Sequence, residues 1–155
     1  MRLTPVLPIL LGACVAGPAP LDLAPALLAA HAAERAAVGL PPLRWDPALA
    51  ADAGRWARSL ARTGRLAHEP GLAEGENLWA GTRGAFTPAQ MAAVWAAEGK
   101  AWRAGARDLA RTGHYTQMVW RGTTGLGCAL ASGAATDVLV CRYSPPGNIA
   151  GQSPF

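Results

Sequence analysis

The chain has 155 residues, of which 51% are apolar, and 14 Lys and Arg against 10 Asp and Glu give it a net charge of +4. A single domain of that length buries about two thirds of its unfolded surface, and no run of roughly 18 apolar residues offers a membrane-spanning helix. The arginines are scattered from Arg35 to Arg142 instead of forming a stripe, so the electrostatic footprint of a nucleic-acid binder is missing.

Met1-Arg2 followed by Leu3 to Ala13 has the basic start and short apolar run of an export signal. Residues 1–20 are read as that signal plus a Pro/Ala-rich linker, and residues 21–155 as the domain. The expected location is extracellular, periplasmic or lipid-anchored at the cell envelope. Leu11-Gly12-Ala13-Cys14 resembles a bacterial lipobox, in which Cys14 would be lipidated and the membrane reached only through that anchor. Ordinary cleavage near Ala16, giving a freely secreted chain, is the alternative. Either way, Cys128 and Cys141 are left as a pair suited to a disulfide in an oxidising compartment.

In chain order, Asp22 is placed to cap a first helix that tolerates Pro25 in its first turn and stops at Gly39. Leu27, Leu28, His31, Arg35 and Val38 share one face of it, which makes His31 a packed or capped histidine. Pro41 and Pro42 force an extended segment to Trp45. Asp46-Pro47 opens a second helix that runs to about Arg62, ahead of Gly64, with Leu49, Ala53, Trp56, Ala57 and Leu60 as its apolar stripe. The following His68-Glu69 pair is no zincin motif, because Pro70 breaks the helix that motif needs and position 72 is Leu. After a glycine-punctuated turn come Gly75-Glu76-Asn77-Leu78-Trp79.

Thr87-Pro88-Ala89-Gln90 is a capping box, and Met91, Val94, Trp95, Glu98 and Trp102 follow the spacing of one buried helical face. A carboxylate on that face needs a partner; the alternative puts Glu98 at the stripe's edge, in water. The remainder reads as β: Gly113 to Trp120 from its alternating side chains, Leu126 to Ala131, and Val138 to Tyr143, with a turn starting at Ser132-Gly133. Cys128 and Cys141 lie about equally far from that turn, so they can face each other across the hairpin. The tail from Ser144 to Phe155 is irregular, its prolines excluding helix.

His68, Glu76, Glu98 and His114 are the residues whose chemistry needs explaining. Two imidazoles and two carboxylates on four elements, if they converge, can hold a divalent transition metal through the histidines, with the carboxylates orienting the rings or holding water. Spacing alone leaves that convergence open.

Gly113-His114-Tyr115-Thr116-Gln117-Met118-Val119-Trp120 with Gly127-Cys128-Ala129, and Val138 to Ile149, resemble the two signatures of the CAP superfamily (SCP domain): cysteine-rich secretory proteins, venom allergens and plant pathogenesis-related proteins. Gly75-Glu76-Asn77-Leu78 and Trp95-x-x-Glu98 resemble its shorter motifs, and the likeness covers about residues 25 to 155. The resemblance implies an α+β fold, an α-β-α sandwich with a small antiparallel sheet between helical layers. It also implies an exported protein with a cleft tetrad of His68, Glu76, Glu98 and His114, a divalent ion such as zinc on His68 and His114, and in some members a sterol or fatty acid in a neighbouring groove. The chain departs from the family's habits at Ala32, where Asn is common, and at Trp102, where Tyr is common.

Three functions compete on this reading. The first is a non-catalytic binding module with a metal-capable cleft and a protein or lipid partner, since no serine lies in a motif resembling a nucleophile elbow. The second is a hydrolase or protease in which Glu76 or Glu98 acts as general base, on metal-bound water or without metal. The third makes the tetrad a polar core that ties helices to sheet, with function in protein–protein contact.

Overall fold

The computed structural model describes residues 23–155. The signal, Cys14 and the expected Asp22 cap lie outside the described residues. In chain order the elements are α1 (Leu23–Ala37), β1 (Arg44–Trp45), α2 (Pro47–Thr63), β2 (Gly75–Thr82), α3 (Pro88–Ala97), α4 (Gly99–Arg103), α5 (Leu109–Met118), β3 (Gly125–Ser132) and β4 (Thr136–Ser144). The sheet order is β1-β3-β4-β2, antiparallel apart from the short β1–β3 pairing.

Local chemistry starts α2 and α3 where the sequence places them. The Asp46 carboxylate accepts the Ala48 and Leu49 amides at 2.8 and 3.2 Å, and α2 ends at Gly64, whose φ of 66° is open to glycine at little cost. Thr87 and Gln90 cap α3 reciprocally: the Gln90 amide donates to Thr87 Oγ1 at 3.3 Å and the Thr87 amide to Gln90 Oε1 at 2.8 Å.

The period of two along the strands divides the core. Leu78, Val138 and Val140 face Ala53, Ala57 and Leu60 of α2. On the other face Trp79, Cys141 and Tyr143 meet Leu27, Met91, Trp95, Tyr115 and Met118 from α1, α3 and α5. The layers are therefore helix, sheet, helices. Gly127 lets α2 lie directly on β3, since a Cβ there would stand 2.2 Å from the Ala50 nitrogen. Arg35 clamps the opposite layer: buried at 1% exposure, it donates to the carbonyls of Pro41, Met118, Trp120 and Thr123 at 2.7 to 3.2 Å. The disulfide joins Cys128 to Cys141 in register across β3 and β4.

Three expectations require correction. Gly113 to Trp120 is not a strand: most of it forms α5 and the rest the turn after it. Tyr115 through Trp120 are all buried, so no face is left polar to display a helical period, and the β-branched and aromatic residues imitate a strand. The third helix breaks at Glu98 into α3 and α4, and Val94, expected on its buried face, is 54% exposed. The sheet also gains β2, in a stretch after the glycine-punctuated turn to which the sequence pattern assigns no element.

Candidate functional site

The histidines and glutamates form two pairs. His68, in the loop after α2, meets Glu76 at the start of β2 with Nδ1 2.5 Å from Oε1. His114, in α5, meets Glu98 at the α3–α4 break with Nδ1 2.6 Å from Oε1. The rings are accessible and the acids sheltered: side-chain exposure is 67% for His68 and 37% for His114, against 3% for Glu76 and 21% for Glu98.

Each carboxylate is fixed by further donors. Glu76 also accepts Arg142 Nη1 at 2.7 Å and the Glu69 amide at 3.2 Å. Glu98 Oε2 accepts the amides of His114 and Tyr115 at 2.9 and 3.2 Å. The helix break is what allows this, because it swings the Glu98 carboxylate onto the α5 backbone. With both acids acting as acceptors, each Nδ1 carries a proton, and in the neutral ring it is Nε2 that keeps the lone pair. The Trp95 indole lies over His114, ring centroids 6.1 Å apart and planes within 16°.

A polar chain links the two pairs. Asn77, next to Glu76, donates through Nδ2 to the His114 carbonyl at 3.0 Å and to the Tyr143 hydroxyl at 3.0 Å. That hydroxyl lies 2.8 Å from His31 Nε2, and His31 Nδ1 lies 2.7 Å from the Leu27 carbonyl. The pattern closes in one way: His31 donates to Leu27, Tyr143 donates to His31, and Asn77 donates to Tyr143. Burial, and next to it the charge of Arg35, lowers the His31 pKa to about 4 against the pull of the Leu27 bond. Burial likewise pushes the Tyr143 phenol well above its ordinary value, so it stays a donor.

The donor chemistry fits a divalent cation in part. Two imidazoles with carboxylates behind them match the arrangement in which zinc-binding histidines are oriented. Among the described residues, however, no three His, Cys, Asp or Glu side chains form a cluster able to hold a metal. A cation held by His68 and His114 would complete its shell with water or an outside ligand.

Arg142, Glu69 and Asn77 had no role assigned from sequence. Arg142 is fully buried between Glu76 and Glu69, and its legible signal was a charge inside the apolar run Val138 to Tyr143. Glu69 carries no local signal, because its partner Arg142 lies 73 residues on.

Fold and site together define a three-layer α-β-α protein that displays two carboxylate-held histidines. The chain belongs to the cysteine-rich secretory protein (CAP) family, whose model matches residues 28–143. It is 38% identical over 130 residues to a PR-1-type pathogenesis-related protein of Sambucus nigra, covering 81% of this chain and 78% of that one. Against pathogenesis-related protein 1B of Nicotiana tabacum it is 39% identical over 132 residues, covering 83% and 78%. Among solved structures, NaASP2 with Zn2+ matches at a TM-score of 0.71 and 22% identity over 84% of this chain and 83% of that one. The hookworm platelet inhibitor matches at 0.70 and 21%, over 86% and 75%. These structural likenesses establish the fold.

Proposed function

We propose that this CAP protein is an exported, non-catalytic binding module in which His68 and His114 present Nε2 to a divalent cation, zinc or another, beside a surface that receives a protein, lipid or sterol partner. The observation that carries the reading is the pairing of each Nδ1 with a sheltered carboxylate, which orients the ring and leaves Nε2 as the nitrogen available to a ligand. A bound cation would supply a Lewis-acidic point with open positions for an oxygen ligand. The residues prepare that point: Arg142 and the Glu69 amide hold Glu76, while the α5 amides hold Glu98.

The same bonds count against a general base. Each acid already accepts three donors, which leaves about one of a carboxylate's four acceptor positions for a water. They favour the structural reading as a second possibility, because carboxylates so engaged tie β2 to β4 and α3 to α5. Calorimetric titration with zinc separates the two readings. The binding module predicts saturable binding that disappears in the His68→Ala, His114→Ala variant. No binding by wild type, or unchanged binding by the variant, leaves only the structural role.

A further inference from the structure

β3 has an open side. β1 covers only Gly125 and Leu126, so from Cys128 onward no strand among the described residues pairs with its outer edge. The Cys128 and Cys141 Cα atoms stand 4.1 Å apart in register, the spacing of a non-hydrogen-bonded antiparallel pair. The Cys128 N–H and C=O therefore point away from β4, and the period of two turns those of Leu130 and Ser132 the same way. The Asp46 amide, on the β1 side, donates to the Leu126 carbonyl at 2.8 Å with the same parity.

This edge borders a groove. A cavity of about 900 Å³ runs between the C-terminal half of α2 and the β3–β4 hairpin. Ala80, Val138 and Ala131, neighbours in register across β2, β4 and β3, line it beneath α2. Leu130, which packs toward the opposite face, lines it as well, so the groove reaches the strand's edge. Arg58, Arg62 and Arg65 line it from the other side, all exposed, and no carboxylate lines it. Asp137, the acid beside Ser132 across the hairpin, is buried and occupied by Ser132 Oγ at 2.6 Å and the Gly84 amide at 2.8 Å.

We propose that the outer edge of β3 docks an extended acidic peptide segment of a partner protein as an added strand. Its backbone pairs with the outward groups of Leu130 and Ser132. Its acidic side chains alternate onto the α2 side to meet Arg58 and Arg62, and its apolar ones lie beside Leu130. Charge selects the occupant: a second copy of this chain would bring the same three arginines into opposition, and a lipid would leave the edge amides unpaired.

The test uses a fluorescent peptide of about ten residues alternating Glu and Val, and the same peptide with Lys for Glu. Anisotropy should show binding of the Glu peptide only, weakened about tenfold or more in the Arg58→Glu, Arg62→Glu, Arg65→Glu variant. In wild type, amide exchange at Leu130 and Ser132 should slow at least about tenfold under saturating Glu peptide, a readout that does not depend on the variant folding. Equal binding of the Lys peptide, indifference to charge reversal, or binding without protection of Leu130 and Ser132 overturns the proposal. Protection of those amides on raising the protein concentration without peptide overturns it too, giving the edge to a second copy.

Discussion

Acid should unfold this protein through His31 in a way that can be isolated. The ring is wholly buried and its pKa is lowered from 6.5 to about 4. Below pH 6.5 the unfolded chain takes up this proton while the folded chain does not, so stability rises with pH across the window and is lost as pH falls from 6.5 toward 4. A gap of about two and a half units, at about 1.4 kcal/mol each, makes the loss about 3 kcal/mol, complete once pH passes below 4. The perturbation is acidification of wild type and of His31→Gln, which cannot take up the proton. Urea unfolding at pH 7 and pH 4 should show wild type losing about 3 kcal/mol more than the variant over that interval. The variant starts lower at pH 7, having exchanged the Leu27 and Tyr143 bonds for poorer ones. Parallel losses in the two proteins would refute the reasoning, as would an imidazole NMR titration placing His31 near 6.5.

Three further outcomes follow from the site and the sheet. Glu98→Gln, nearly isosteric, keeps an oxygen for the His114 and Tyr115 amides but turns an amide donor toward Nδ1. The ring must then carry its proton on Nε2, so zinc affinity measured by calorimetry should fall about 10- to 100-fold with stability changed by about 1 to 3 kcal/mol. Arg142→Met strands Glu76 in a site where its side chain is 3% exposed, and denaturant unfolding should show a loss of about 3 to 5 kcal/mol. Replacing Cys128 and Cys141 by Ala opens a loop of 13 residues' separation; calorimetric melting should show a loss of about 3 kcal/mol, with reductant reproducing it in wild type and leaving the variant unchanged.

What was legible in the sequence was local or carried on chemistry. The Asp46-Pro47 start and the Thr87–Gln90 box act within one turn, and the structure holds both. The Cys128–Cys141 pairing followed from distance to a single turn and is present. Glu98 stood out as an acid among apolar residues, and the reason lies in a contact no spacing shows: the amides of His114 and Tyr115, 16 and 17 residues on. The period of α5 was unreadable because its last turn, Tyr115 to Met118, is buried on every side, which erased the amphipathic signal there. β2 was hidden by Gly75 and Gly81, which are selected by close approach: Cβ atoms there would stand 2.1 Å from Gln117 Oε1 and 2.5 Å from the Trp79 ring. The chain from His31 through Tyr143 and Asn77 to His114 spans 112 residues at its first link, beyond the reach of any local pattern.

The central claim is that His68 and His114 share one cation through their Nε2 atoms. Nitrogen NMR of the imidazoles during a zinc titration reads this directly. The account predicts that both Nε2 resonances move to metal-bound positions together, saturating at one zinc per chain, while both Nδ1 protons and the His31 ring stay as they are. Movement of one ring without the other, or of neither, would contradict it.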